Sequence, residues 1–202
     1  MTKKRHLWSI LICSINERSE KYSKLYDRLN RQIDRWNRKL SENTVEIVSF
    51  IDNRGENTIG HKRNWLVENA KGKYISFIDD DDWISDSYVE SQAKLLRTND
   101  YDCLELWGEI TFNGRYPKKF THSIRYDRYS QKDNVYYRPP NHLNCIRKKI
   151  AEKFPFPEKN IGEDTDWAMK ICRSGLLKRE KENTLTLYYY RYDTRDSVQH
   201  YR

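Results

Sequence analysis

The feature of this sequence that most constrains its fold is the alternation of short apolar runs with stretches of helical periodicity. The apolar runs cover residues 7–13, 45–51 and 74–78, while residues 22–40 and 59–70 place apolar side chains at spacings of three and four. Runs of this length suit buried strands, and the spacing is that of amphipathic helices. Strands that alternate with helices usually pair in parallel, so we expect an α/β fold with a mostly parallel central sheet.

The length and composition are those of one folded domain without a membrane span. The chain has 202 residues, of which 37% are apolar and 34% charged, and a chain of this size buries an independent core. Its apolar runs are far shorter than the roughly 20 residues that cross a bilayer, so we expect no transmembrane segment and a soluble, cytoplasmic protein. The formal net charge of +8 favours a polyanionic partner, which is nucleic acid, an anionic membrane surface or a phosphate-bearing substrate.

The second half of the chain is less regular. Its periodicity predicts helices at residues 88–96, 147–153 and 163–174, and strands within residues 102–113 and 184–192. Residues 116–144 are rich in Tyr, Arg, Lys and His and show neither helical nor strand periodicity, which favours a long functional loop or a small subregion over core.

Four consecutive aspartates, Asp79 to Asp82, follow the third apolar run directly. Neighbouring carboxylates repel one another when ionised, and a bound cation offsets this repulsion. Oxygen ligands select hard ions such as Mg²⁺ or Mn²⁺, which pair one or two carboxylates with substrate phosphates. A solvated acidic turn is the alternative. Because α/β sheets bind ligands at the carboxyl ends of their strands, the position favours a metal site.

The segment 59–83, IGHKRNWLVENAKGKYISFIDDDDW, resembles the core signature of GT-A fold glycosyltransferases of the family-two type. In that family an Arg-Asn helix precedes a strand that ends in an Asp-x-Asp metal motif. Two further stretches are similar to the family: Ser-Ile-Asn-Glu at residues 14–17, and Gly-Glu-Asp at residues 162–164. The resemblance implies a Rossmann-like three-layer sandwich and a metal-dependent, inverting glycosyltransferase.

The resemblance also implies how the chain is divided and which residues bind the donor. Residues 1–202 would form a single domain, in which residues 1–100 bind the nucleotide sugar and residues 101–202 bind the acceptor. A UDP-linked sugar is the expected donor. The residues implied to bind it are Ser14, Asn16, Glu17, Asp52, Arg63, Asp79 and Asp80. Those implied to bind Mn²⁺ or Mg²⁺ are Asp81, Asp79 and His200.

On the acceptor side, the resemblance implies that Asp164 is the catalytic base, since a single displacement needs a carboxylate to take the proton of the acceptor hydroxyl. Glu163 is implied to orient the acceptor. Compensation of the helix dipole is the alternative for both acids. His142 and Trp167 are candidates for acceptor contact, and core packing is the alternative for the tryptophan. The expected acceptor is a saccharide, or a modified base in DNA, which basic and aromatic side chains would contact.

Two other classes of function stay open at this point. A non-catalytic nucleic-acid-binding module on the same fold would bind DNA with a strong salt dependence and without a metal. A nucleotidyl or phosphoryl transferase could use the same aspartate-metal chemistry, because α/β sheets carry such sites for several reactions.

Overall fold

The computed structural model describes residues 6–40, 42 and 44–193. The first half of the chain follows the predicted strand and helix order. Its elements are strand β1 (Trp8–Ile15), a short 3-10 helix (Asn16–Arg18), helix α1 (Ser19–Leu40), β2 (Val45–Asp52), α2 (Ile59–Asn69) and β3 (Tyr74–Phe77). The apolar runs and the helical spacings therefore located these elements to within a few residues.

The second half contains shorter elements. They are β4 (Trp83–Ile84), α3 (Tyr88–Thr98), β5 (Cys103–Leu104), β6 (Leu106–Phe112), β7 (Arg115–His122), β8 (Ser130–Lys132), β9 (Val135–Arg138), β10 (Ile146–Arg147), α4 (Lys148–Ala151), α5 (Glu163–Ser174), β11 (Glu180–Lys181) and β12 (Thr186–Tyr192). None of the helices in the described ranges combines the length and the apolar character needed to cross a membrane.

The first sheet has the strand order β11-β5-β10-β3-β1-β2. Strand β1 pairs in parallel with β2 on one side and β3 on the other, as predicted. Strand β10 then enters between β3 and β5 and is antiparallel to both. The sheet thus combines strands from both halves of the chain. The proposed division into a donor half and an acceptor half at residue 100 stays a prediction.

Two apolar clusters cover the two faces of this sheet, which gives three layers. On one face, Ile10 and Ile12 of β1 pack in a cluster that includes Leu25 and Leu29 of α1. On the other face, Leu11 belongs to a cluster that includes Leu66, Phe77, Trp167 and Ile171 from α2, β3 and α5. Successive side chains of a strand point to opposite faces, so an almost continuous apolar run is what a strand covered on both sides requires.

The basic, aromatic segment forms strands, so of the two alternatives for residues 116–144 the long loop is wrong, and the segment is part of a second sheet. Strands β7, β8 and β9 lie in this segment and complete a second sheet with the order β4-β12-β6-β7-β9-β8. The burial pattern of β7 explains the error, since its first five residues include four exposed ones and only its end is buried. A strand that is mostly solvated has no alternating apolar signal.

Gly60 is predicted to be essential to the packing of α2 against the loop that leads to α5. A Cβ atom at this position would lie 1.9 Å from the backbone oxygen of Pro157. Alanine favours a helix over glycine by roughly 1 kcal/mol, but overpacking of this kind costs about 1–3 kcal/mol. We therefore expect Gly60→Ala to lower the free energy of unfolding, measured by urea denaturation.

Glu68→Ala is the matched control for this substitution, because Glu68 is exposed on the same helix. Its effect should stay within about 0.5 kcal/mol. A Gly60→Ala protein as stable as the wild type would show that the Pro157 loop moves away without penalty.

Candidate active site

The four aspartates form a loop after β3, and only two of their side chains reach solvent appreciably. The Asp79 and Asp81 side chains are 30% and 25% exposed. Asp80 is buried and accepts hydrogen bonds from the Ser14 hydroxyl at 2.6 Å and from Arg18 Nη1 at 2.8 Å. The predicted donor residue Ser14 therefore joins the end of β1 to the aspartate loop.

Asp82 is a structural member of this loop. Its Oδ2 accepts a hydrogen bond from the Tyr188 hydroxyl at 2.6 Å, and its Oδ1 accepts one from the backbone nitrogen of Arg191 at 2.8 Å. The Tyr188 hydroxyl also accepts a hydrogen bond from the backbone nitrogen of Asp79 at 3.2 Å. Burial, together with the charges of Asp79 and Asp81, raises the pKa of Asp82 well above its usual value. These contacts tie the loop to β12.

Asp81 faces the open side of the loop. Its Oδ2 lies 3.1 Å from Arg18 Nη1. Burial raises the pKa of Asp81 to about 6; the Arg18 charge lowers it, and the charges of Asp79 and Asp80 raise it further. A carboxylate held beside two others in this way is stabilised in its ionised form by an added positive charge.

Arg63 connects the aspartate loop to the start of α5. Its Nη2 donates to Asp79 Oδ1 at 3.1 Å, and its Nη1 lies 3.2 Å from Glu163 Oε1. The guanidinium is buried and lies over the rings of Phe77 and Phe156, at 5.4 and 5.6 Å from their centroids. Burial lowers the pKa of Arg63, but the charges of Asp79 and Glu163 outweigh it and hold the pKa above its ordinary value.

His142 lies between Asp79 and Asp164. Its Nε2 is 3.3 Å from Asp79 Oδ2, and its Nδ1 is 3.7 Å from Asp164 Oδ2. Although burial raises the pKa of Asp79, the charges of His142 and Arg63 outweigh it and hold that pKa below its usual range. The imidazole is only 4% exposed. Its position is therefore behind the two carboxylates, and the predicted contact with an acceptor stays a prediction.

Glu163 and Asp164 begin α5 but have different surroundings. Gly162 precedes them in the left-handed region, with φ at 73°, and it turns the chain into the helix without a side-chain cap. Glu163 is buried against Arg63, whereas the Asp164 side chain is 31% exposed. Burial raises the pKa of Glu163, the Arg63 charge lowers it, and the Asp164 charge raises it. Asp164 is thus the acid of this pair that a bound molecule can reach.

Trp167 lies in the core, one turn after Asp164. Its ring is 1% exposed and stacks on Phe156, with the centroids 4.6 Å apart and the planes 7° from parallel. A ring covered in this way has no free face for a sugar. The prediction that Trp167 contacts an acceptor is therefore corrected to a packing role.

The remaining predicted donor residues lie where β1 and β2 end. The Asp52 carboxylate is buried and accepts hydrogen bonds from Lys62 Nζ at 2.7 Å and from Asn57 Nδ2 at 3.1 Å. Asn16 donates to the Asn53 side chain at 2.7 Å, and the Glu17 Oε1 lies 3.7 Å from Arg54 Nε. Because β1 and β2 are parallel and in register up to Ile15 and Asp52, these side chains share the sheet edge of the aspartate loop.

The carboxylates of the loop fit a metal that is completed by a substrate. In the described part of the chain, no group of three or more His, Cys, Asp and Glu side chains converges as a protein-only metal cage. Asp79 and Asp81 are the two partly exposed carboxylates, and Mg²⁺ is typically held by one or two carboxylates together with substrate phosphates. His200, the third predicted ligand, lies outside the described residues.

Three residues that sequence reasoning did not select contribute to this site. Arg18 contacts Asp80 and Asp81, Lys62 donates to Asp52 and to the Ser14 carbonyl oxygen, and Tyr188 bonds to Asp82. Lys62 adjoins Arg63 within the family-like segment, so its position offered a signal. Tyr188 is separated from Asp82 by 106 residues, and nothing in the local sequence links the two.

Comparison with known proteins connects this geometry to one family. Residues 26–158 match the sequence profile described as Glycosyl transferase family 2. An uncharacterized glycosyltransferase of Methanocaldococcus jannaschii, MJ1057, is 32% identical over 128 residues, which cover 59% of this chain and 43% of that protein.

Solved structures of similar fold include residues 1–349 of S. aureus TarS. The TarS structure in complex with UDP-GlcNAc has a TM-score of 0.59 and 18% identity, and it covers 92% of this chain and 58% of that one. The complex with UDP has a TM-score of 0.61 and 17% identity, with 92% and 60% covered. The likeness confirms the predicted type of α/β fold. This chain spans less than two thirds of the length of these relatives.

Proposed function

Because the chain belongs to glycosyl transferase family 2, we propose that it transfers a sugar from a nucleotide-diphosphate sugar to an acceptor hydroxyl, with a divalent metal and inversion at the anomeric carbon. UDP is the proposed nucleotide. The TarS structures that contain UDP-GlcNAc and UDP support this choice, since they share the fold. A saccharide or a modified base in DNA is the proposed acceptor.

The observation that carries the proposal is the convergence of the aspartate loop and the start of α5. Arg63 touches Asp79 and Glu163, and His142 lies 3.3 Å from Asp79 and 3.7 Å from Asp164. Donor-side and acceptor-side carboxylates are therefore held together by one buried cationic side chain and one buried imidazole. A transferase that breaks and makes bonds at a single carbon needs its two substrates this close.

Asp79 and Asp81 are the proposed metal ligands, together with oxygens of the donor diphosphate. When bound, Mn²⁺ or Mg²⁺ neutralises charge that develops on the departing nucleoside diphosphate. Arg63 holds Asp79 from the protein side, which restricts how that carboxylate can turn. Ser14, Arg18 and Tyr188 hold Asp80 and Asp82, so the loop backbone that presents Asp81 is fixed by its neighbours.

Asp164 is the proposed catalytic base. The acceptor oxygen bonds to the anomeric carbon while the bond from that carbon to the phosphate oxygen breaks, and the bonding electrons leave with the diphosphate. The acceptor proton passes to a carboxylate oxygen of Asp164, whose side chain is 31% exposed. Glu163 is already held by Arg63, so we propose that it orients the acceptor indirectly, by positioning the start of α5. Attack opposite the leaving group inverts the anomeric centre.

The test is release of nucleoside diphosphate from a panel of UDP-, GDP- and TDP-sugars, with and without Mn²⁺. We expect turnover of one donor that a chelator abolishes. Asp81→Ala should lower kcat/KM for that donor by about 100-fold or more, because a metal contributes several kcal/mol to such a transition state.

Asp86→Ala is the matched control for the donor test. Asp86 lies close in sequence to the aspartate loop, but its side chain is 92% exposed and contacts Arg28 instead. Its kcat/KM should stay within about twofold of the wild type. Donor turnover that persists in chelator and in Asp81→Ala would refute the metal site. If no donor releases nucleoside diphosphate and the protein binds DNA in a salt-sensitive way, the non-catalytic alternative is favoured.

A further inference from the structure

Arg138, the last residue of β9, carries a positive charge that no described carboxylate neutralises. Its guanidinium lies over two tyrosine rings, at 5.4 Å from the centroid of Tyr129 and 5.6 Å from that of Tyr136. Across residues 6–40, 42 and 44–193, no Asp or Glu forms an ion pair with it, whereas Lys62 has one such partner and Arg63 has two. Contacts with two ring faces hold a guanidinium in place and leave its N–H edge able to donate.

The chain path brings Arg138 close to the proposed base. Pro139, Pro140 and Asn141 separate it from His142, whose imidazole lies 3.7 Å from Asp164. Its β9 position pairs with His122 at the buried end of β7. Arg138 also contacts the ring of Tyr129, whose hydroxyl interacts with Thr165 and Asp164, so it lies near the start of α5.

Two tyrosines near Arg138, Tyr129 and Tyr190, have pKa values that depend both on the Arg138 charge and on active-site carboxylates. Burial and the Asp164 charge raise the pKa of Tyr129, while Thr165 and the Arg138 charge lower it. Burial and the charges of the aspartate loop raise the pKa of Tyr190 in β12, and Arg138 again acts in the opposite direction. Arg138 is thus within electrostatic reach of both sides of the site.

We propose that Arg138 is the anion-binding residue of the acceptor site and that the acceptor carries a phosphate or carboxylate near the hydroxyl that is glycosylated. This inference rests on the proposed function. A planar guanidinium donates two parallel hydrogen bonds to either group. Tyr129 and Tyr136 orient it, and Asp164 next to Tyr129 takes the proton of the neighbouring hydroxyl.

The charge of the wider segment supports an anionic acceptor. Residues 115–138 contain seven basic side chains, Arg115, Lys118, Lys119, Arg125, Arg128, Lys132 and Arg138, against two acidic ones, Asp127 and Asp133. Four of the first five residues of β7 and all three of β8 are exposed. A positive surface of this kind raises the local concentration of an anion before it reaches Arg138.

Matched acceptor pairs test the proposal with the wild-type protein and its identified donor. The pairs are glucose against glucose 6-phosphate, glucose against glucuronate, and glycerol against glycerol 3-phosphate, and the readouts are sugar transfer and kcat/KM for each acceptor. We expect the charged member to be preferred. Arg138→Gln should reduce that preference by roughly 10- to 100-fold, as expected for the loss of charge-assisted hydrogen bonds. Its effect on acceptor KM should exceed its effect on donor KM.

Two further variants sharpen the result. Arg138→Lys keeps the charge without the planar pair of donors, so it should retain part of the preference. Lys132→Gln removes one charge from the exposed strand β8 of the same sheet and should retain the wild-type preference. A larger preference for phosphate than for carboxylate would identify the acceptor group as a phosphate, and the reverse order would identify a carboxylate.

Several outcomes would overturn the inference. It fails if the wild type turns over a donor but no charged acceptor is preferred to its neutral partner. It also fails if Arg138→Gln lowers transfer to charged and neutral acceptors equally, or raises donor KM more than acceptor KM, which would assign Arg138 to the donor. Release of nucleoside diphosphate without acceptor separates these results from failure of the proposed function, in which no donor is turned over at all.

Discussion

Asp164→Asn is expected to lower the rate of sugar transfer by about 100- to 10,000-fold while the protein still binds its donor. The amide has nearly the shape of the carboxylate but cannot accept the acceptor proton, and general base catalysis contributes a factor of this size. The contact with His142 is 3.7 Å long, so little of the packing depends on the charge. Transfer should be followed by product formation, and donor binding by calorimetry with UDP and Mn²⁺.

Asp166→Asn is the matched control for the base. Asp166 lies in the same first turn of α5, but its side chain is 52% exposed and bonds to Lys159 Nζ at 2.7 Å. Transfer by this variant should stay within about twofold of the wild type. Near-normal transfer by Asp164→Asn would show that Asp164 is not the catalytic base. Loss of UDP binding would instead make it a donor residue.

Arg63→Met is expected to lower the free energy of unfolding by about 3–5 kcal/mol, because it leaves the buried Glu163 carboxylate without its cationic partner. Glu163 is 4% exposed and has Arg63 as its cationic partner in the site. For a domain of this size the midpoint of thermal unfolding should fall by about 6–20 °C. Arg97→Met, on the exposed side of α3, is the matched control and should change stability by about 0.5 kcal/mol or less.

The loss of stability in Arg63→Met should grow with pH. Burial already raises the pKa of Glu163 in the folded protein, and Arg63 is the main charge that opposes the rise. A carboxyl with a folded-state pKa above its unfolded value contributes stability at low pH, and that contribution disappears as the pH rises through the folded-state pKa.

Urea denaturation at pH 5 and pH 8 should therefore show the larger deficit at pH 8. Glu163→Gln added to Arg63→Met should recover part of it, because the amide buries without a charge. Equal deficits at both pH values would indicate that lost packing against Phe77 and Phe156, and not a stranded charge, explains the effect.

The first half of the fold was accessible from sequence because its signals are local. Apolar runs marked β1, β2 and β3, and helical spacing marked α1 and α2, since these elements are buried on the faces that their periodicity describes. Strands β7 to β9 had no such signal, because β8 and half the residues of β7 are exposed and β9 is only half-buried. Their pairing depends on neighbours in the second sheet, which no sequence period records.

The acidic residues of the site could be predicted from the sequence, whereas the residues that contact them could not. The aspartate loop and the Glu-Asp pair stood out as clusters beside predicted strands and helices. The bridging position of His142 depends on a fold that brings residue 142 to residues 79 and 164, and sequence reasoning gave it only an acceptor contact. Trp167 was named for its chemistry, whereas its place on the inner face of α5 decided its role.

The attachment of the aspartate loop to β12 has a consequence for how the protein is made. The Tyr188 hydroxyl forms hydrogen bonds with Asp82 and Asp79, which precede it in the chain by 106 and 109 positions. Contacts of such separation form late in folding. While residues 186–192 are still inside the ribosome, the nascent chain lacks the strand that forms hydrogen bonds with Asp82. The aspartate loop therefore gains the partners that hold Asp82 only after β12 has been synthesised and has joined the second sheet.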